Sequence, residues 1–341
     1  MAAFILLLLS LTSQLASEPR PHPAPENKGA QPFAIGVLRR DGVVSPFAAF
    51  DGKHWTAPWP VDVHMLDLPI DVPGIPSKWW GKVGAVSEMT AWVDGVNRGP
   101  VHLLRPALLP LMCERRIAMI SDYHGEQAEA ASLLPPYPKD GLAVTGTQRV
   151  EPIEILSAQS REWASTAVYL APEFDRAEQE AIRAFTDWDH PVAREERRQM
   201  PVELEAMYRA PMDEAGWTAY YVETVKRYTP RVEDDDCGLV TSASGWMAVG
   251  PDGKRAGKLN ARVTYCDRRD VTYMLPLGLI PVDGRSYWAF QLSGYGREGY
   301  LVVRPTPKRV EMNVTYAAGL CPRGFSGPSP SPNPSPRALA H

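Results

Sequence analysis

Between Cys237 and Cys321, apolar and polar residues alternate one for one in several short runs, and that period constrains the fold more than any other feature of the chain. Leu259, Ala261, Val263 and Tyr265 alternate with Asn260, Arg262 and Thr264; Val310, Met312, Val314 and Tyr316 alternate with Glu311, Asn313 and Thr315. A repeat of two sends successive side chains to opposite faces of a strand, leaving one face buried and one wet. Two apolar runs, 287–292 and 300–303, lie between them. The joints carry Asp252-Gly253, Asp283-Gly284 and glycines 294, 296 and 299, residues that accept the positive φ of tight hairpins.

The first half repeats this pattern. Residues 33–39 and 43–50 read as strands joined by Arg40-Asp41-Gly42, and 88–93 as a strand turning at Asp94-Gly95. The run 101–112 is apolar but carries Pro106 and Pro110, which exclude a long helix and favour an extended segment. Residues 117–120, 142–145, 150–156 and 163–170 read as further strands. The exception is 172–209. Phe174, Ala177, Ala181, Ile182, Phe185 and Trp188 share one helical face, with Pro172 in the first turn and Pro191 ending the run. A shorter helix is expected from Pro191, with Arg194 to Arg198 as its solvated face, and a third from Pro201 with Leu204, Met207 and Tyr208 inward. Residues 217–228 return to strand.

The expected fold is therefore mainly β with a minor helical connector, in antiparallel sandwich or barrel-like domains. Residues 32–170 form the N-terminal β domain, 171–212 the connector and 213–322 the C-terminal β domain. At 341 residues the chain has room for two such cores.

The ends read differently. Phe4 to Leu9, then Leu11 and Leu15, form an apolar run of about a dozen residues, too short to span a bilayer and suited to a signal peptide over 1–17. No other segment is apolar enough to cross a membrane, so no span is expected in the mature chain. Eleven of the 34 prolines sit in the flanks, five between Pro19 and Pro32 and six between Pro322 and Pro336. These read as a linker over 18–31 and a disordered Pro/Ser tail over 323–341. The expected location is secreted or periplasmic. In that setting four cysteines favour two disulfides. Three pairings exist, and Cys237 with Cys266, leaving Cys113 for Cys321, suits the strand pattern best.

Charge narrows the partners. Lys plus Arg total 36 against 40 Asp plus Glu, a net charge of -4 without a basic face, which argues against nucleic acid. The stretch Gly294-Tyr295-Gly296-Arg297-Glu298-Gly299 matches G-x-G-x-x-G, but a strand follows it where a dinucleotide site needs a helix. It reads as a hairpin loop. The elbow G-x-S-x-G fails around Ser293, because Gln291 stands where its first glycine belongs. No Cys-x-x-Cys or H-E-x-x-H occurs, and Asp234-Asp235-Asp236 lacks EF-hand spacing, so neither a metal site nor a cofactor is expected.

Two kinds of candidate site remain. Asp187 and Asp189 flank Trp188, and Asp122, His124 and Glu126 form a compact polar group; either could supply acid and base chemistry. Five of the ten tryptophans, Trp55, Trp59, Trp79, Trp80 and Trp92, fall within residues 55–92. An exposed indole is a platform for a sugar face or an apolar ligand, which makes Trp55, Trp59, Trp79 and Trp80 candidate ligand contacts. The expectation is a non-enzymatic binding or surface protein whose partner is an extracellular polymer or a protein surface. The alternatives are a secreted hydrolase, which requires two acids to converge in one cleft, and a structural envelope component.

Overall fold

The structure, a computed structural model, describes residues 30–60, 71–111, 114–125, 141–184, 190, 192–228, 238–269 and 271–320. It is mostly antiparallel β. The first sheet contains β1 (Phe33–Leu38), β2 (Val43–Phe50), β3 (Trp55–Thr56), β4 (Glu88–Val93), β5 (Val96–Leu111), β6 (Glu114–Ser121) and β7 (Gly141–Val144). Its order is β1-β7-β4-β5-β6-β2-β3, and β2 also pairs with β1, so six of these strands close on themselves as a barrel with β3 appended. Closure removes the unpaired edges that an open sheet would offer. The expected hairpins form where the turn chemistry allows them: Asp94 and Gly95, at φ 50° and 74°, join β4 to β5.

A second sheet, ordered β12-β11-β10-β9-β8, follows from β8 (Glu154–Ile155), β9 (Glu203–Pro211), β10 (Thr218–Arg227), β11 (Leu239–Val249) and β12 (Arg255–Tyr265). Two helices interrupt it, α1 (Arg161–Arg183) and α2 (Arg194–Gln199). The last sheet is a meander of β13 (Thr272–Val282), β14 (Arg285–Gly294), β15 (Arg297–Pro305) and β16 (Val310–Leu320). Gly294 pairs with Arg297, so the glycine-rich stretch is a hairpin loop.

The meander is the middle layer. One face joins the barrel core, where Phe47 meets Tyr300 at 5.4 Å and Trp55 meets Tyr287 at 5.5 Å between ring centroids. The other face packs on the five-stranded sheet through Met274, Trp288, Phe290 and Val303 against Tyr208, Tyr221 and Trp246. Beyond that sheet, Leu170, Phe174 and Ala177 of α1 pack on Met207, Tyr220, Val222 and Leu259. Strands covered on both faces need no alternation, which is why β13 and β14 read as unbroken apolar runs. Backbone bonds of 2.8 Å in both directions between Glu151 and Leu279 tie the segment after β7 to β13.

Three local expectations are corrected. The helix begins at Arg161, not Pro172, because Ser160 caps it by accepting from the Trp163 N–H at 3.1 Å. Residues 163–170, expected as a strand, are therefore helical, and Pro172 lies inside the helix. The helix expected from Pro201 is instead β9. Met207 faces α1 while Tyr208 faces the meander, a two-sided burial that imitates a helical stripe over a few residues. Arg197 of α2 is buried, not solvated. Among the described residues no helix is long and apolar enough to cross a membrane.

Candidate functional site

At one end of the interface between the meander and the five-stranded sheet, the apolar packing gives way to a polar cleft. Its register explains it. Tyr221 and Glu223 share a face of β10, Glu223 lies opposite Ser244 of β11, and Ser244 lies opposite Asn260 of β12; Ser242 lies opposite Arg262. The row that carries Tyr221 and Trp246 into the apolar core thus continues as Glu223, Ser244 and Ser242. Thr272 and Tyr273 of β13 and Arg297 of β15 close the other side, around a volume of about 280 Å³.

A bulge in β9 supplies a second carboxylate. Ala206 pairs with Glu223 and Leu204 with Thr224, so Glu205 is the extra residue, and such an insertion re-aims its side chain. Arg268 holds the Glu205 carboxylate with two bonds of 2.6 and 2.8 Å, Arg227 adds one of 3.1 Å, and Arg268 also donates to the Tyr273 hydroxyl at 3.2 Å. Arg268 does this from a left-handed backbone at φ 51°, a conformation that strains a long side chain by about 1–2 kcal/mol.

One of the two acids, Glu223, is shifted in protonation. Burial raises the Glu223 carboxyl to about 8, and the neighbouring Glu205 charge adds to this, while the Met274 N–H, which donates to it at 2.6 Å, and Arg268 oppose it. Glu223 is consequently a neutral acid with an O–H to donate at pH 7. Burial first, and then Glu223, raise the Tyr221 phenol as well. Ser242 is 7 % exposed and its Oγ has no hydrogen-bond partner among the described residues. A buried hydroxyl left in that state costs about 1–3 kcal/mol, and one that lines a cleft can be satisfied by whatever enters.

The candidates read from sequence fall elsewhere. Asp122 lies on the barrel and accepts from the His102 backbone N–H at 2.8 Å and from its Nδ1 at 2.7 Å, and Glu88 stands 3.3 Å from Nε2. The hydrogen bond that its imidazole gives to Asp122 raises His102, and the His102 backbone N–H lowers Asp122. The group around Asp122 is therefore Glu88 and His102, all exposed; His124 is exposed as well. Glu126, Asp187 and Asp189 lie outside the described residues, as do Cys113, Cys237 and Cys321. Cys266 sits in the turn after β12. Among the described residues no cluster of His, Cys, Asp and Glu is arranged to hold a metal ion.

Trp55, Trp59 and Trp80 are buried and Trp79 is half-buried against the same core. Trp59 packs on Trp80 at 4.8 Å and on Trp79 at 5.4 Å, and its Nε1 donates to the Ile117 carbonyl at 3.0 Å. These indoles fill the barrel core, and Trp55, Trp59 and Trp80 present no ring face to solvent. The residues that do converge, Glu205, Glu223, Ser242 and Arg268, were not singled out from sequence. The available signal was one carboxylate on the buried face of an otherwise apolar strand, Glu223 among Ala219, Tyr221 and Val225. Comparison with known proteins gives no match to a family model, to a curated protein or to a solved structure.

Proposed function

We propose that the protein is an exported binding protein whose cleft between the meander and the five-stranded sheet takes a small, uncharged, hydroxyl-rich ligand, such as one saccharide unit of an extracellular polymer. The observation that carries this reading is the unpartnered, buried Ser242 hydroxyl lining the same cleft as the protonated Glu223 carboxyl. Ser244, Thr272 and Asn260 add groups that both donate and accept, which matches the hydroxyls of a sugar better than a single fixed charge. The volume lies near the lower end of the roughly 300–1,000 Å³ usual for ligand pockets, so the ligand part it encloses is small. Export is supported by the apolar run over residues 4–15 and the proline-rich segment after it.

The test is a thermal melt of the oxidised protein at pH 6 against a panel of mono- and oligosaccharides. A ligand at 100 times its Kd contributes about 2.7 kcal/mol, a shift of several degrees. Ser242→Ala and Glu223→Gln should each weaken that shift without unfolding the protein. No shift with any saccharide, or a shift that both variants retain, rejects the assignment.

A second reading has one observation in its favour. Two acids do converge in one cleft, Glu205 bound by Arg227 and Arg268 and Glu223 with its carboxyl raised by burial, an arrangement that suits carboxylate-assisted hydrolysis. Release of reducing ends from a bound saccharide, lost in Glu223→Gln, would make the protein a hydrolase.

A further inference from the structure

The β14–β15 hairpin ends beside the saccharide cleft, and its tip carries an aromatic ring that the turn itself does not need. Gly294 pairs with Thr272 of β13 and with Arg297 of β15, and both of those residues line the cleft. The connection is therefore two residues long, Tyr295 and Gly296, with Gly296 at φ 68°. The hairpins at Asp94-Gly95 and Asp283-Gly284 are also joined by two residues, and each places an aspartate first, at φ 50° and 48°. Tyr295 stands in that place without a positive φ, so turn chemistry does not explain the tyrosine. A Cβ on Gly294 would lie 2.7 Å from the Val271 carbonyl oxygen and 3.3 Å from Thr272 Oγ1. The bare glycine lets the tip settle against the two residues with which β13 enters the cleft.

Tyr295 is 48 % exposed. The Arg269 guanidinium lies 5.2 Å from the centre of its ring and is itself paired with Asp267 at 2.8 Å. Arg269 belongs to the same β12–β13 connection as Arg268, which binds Glu205 in the cleft, and Val271, which lines it. The ring is thus held on the cleft side of the meander, with Arg269 over one face and the other left to solvent. We propose that Tyr295 is a second saccharide subsite, on whose open face stacks the sugar unit adjacent to the one enclosed by the cleft. The ligand is then an oligosaccharide or polymer chain that leaves the cleft over the hairpin tip. This assignment rests on the saccharide reading of the cleft. The cleft volume of about 280 Å³ leaves a second unit outside it. A two-residue turn and a cation on one face hold the ring in place before binding, so little ordering is lost when a sugar face meets it.

Titration calorimetry on the full, oxidised protein at pH 6 tests the assignment, with glucose, N-acetylglucosamine, xylose and mannose and with the short β-1,4-linked oligomers of each. The oligomers of the sugar that binds should bind about fivefold tighter than the single unit, or more. Tyr295→Ala should erase that gain while leaving the single-unit affinity and the melting temperature unchanged. Tyr295→Phe, which keeps the ring, should retain it. Ser242→Ala, inside the cleft, should weaken single unit and oligomer alike and so preserve their ratio. If Tyr295→Ala fails to fold, Tyr295→Leu, apolar but without a ring, decides in its place. Equal affinity at every length, or a gain that the deciding variant retains, overturns the subsite and leaves the cleft reading standing. Binding of no saccharide at any length overturns both.

Discussion

The Glu178 carboxylate lies 3.2 Å from the Lys226 ammonium at a point where neither side chain reaches solvent, at 0 % and 2 % exposure. Arg197 Nε is 3.5 Å from the same carboxylate, the Tyr228 hydroxyl donates to it, and the ammonium lies 4.9 Å from the centre of the Phe174 ring. One anion on α1 thus holds a cation from α2 and another from β10. Removing one partner of a buried pair leaves the other charge uncompensated, at about 3–5 kcal/mol. Glu178→Gln strands two cations and should lose that much in urea unfolding. Lys226→Met should lose less, since Glu178 keeps Arg197. The reverse order would mean that Glu178 is not the hub.

Glu223 sets a pH dependence of opposite sense to that of a salt-bridged acid. Its carboxyl is raised from 4.5 to about 8 in the fold, so the native state holds a proton that the unfolded state releases. The contribution is full below about pH 4.5 and is lost as pH rises through about 8. It amounts to a few kcal/mol in order of magnitude. Urea midpoints at pH 5 and pH 8.5 should therefore favour the acid side, and Glu223→Gln should flatten the difference and exceed the wild type at pH 8.5. An equal slope in the variant would assign the effect to another group.

Trp80, 1 % exposed, packs on Trp59 within the barrel core. Trp80→Ala should cost about 3–5 kcal/mol, the usual range for emptying an indole-sized space. It should leave saccharide affinity unchanged at a temperature where the variant is folded. Lost affinity with unchanged stability would return the tryptophans to the binding surface.

Leu239, two residues after Cys237, pairs with Tyr265, the residue before Cys266. This register favours a Cys237–Cys266 bridge, closing a loop of about 30 residues and contributing about 3–4 kcal/mol. A peptide map of the oxidised protein should contain that linkage, and reduction should lower the melting temperature. A map linking Cys266 to Cys113 or Cys321 would refute the pairing.

The β class was legible because strands wet on one face must alternate, as β12 does, and because Asp94-Gly95 and Asp283-Gly284 supply the positive φ of their hairpins. What misled is equally physical. Where a strand is covered on both faces, period two disappears: Met207 and Tyr208 of β9, both fully buried on opposite sides, imitate an inward helical stripe. The start of α1 hid behind Pro172, since the proline suggested a first turn while the Ser160 cap lay twelve residues earlier. The cleft was illegible for another reason. Glu205 and Glu223 are separated by a whole hairpin and meet through a bulge, and a bulge leaves no periodic trace. The clustered tryptophans are the louder signal in the sequence, although an indole fills a core as readily as it lines a surface.

The meander is the last of the three sheets along the chain, yet it is the layer on which the other two rest. Until β13 to β16 are synthesised, the barrel and the five-stranded sheet each expose an apolar face with nothing to cover it. The contacts that close both cores join residues far apart in sequence, which makes for slow, late folding. Maturation is thereby timed by the meander: a nascent chain of this design stays open until β13 to β16 have emerged, then completes two cores in one event.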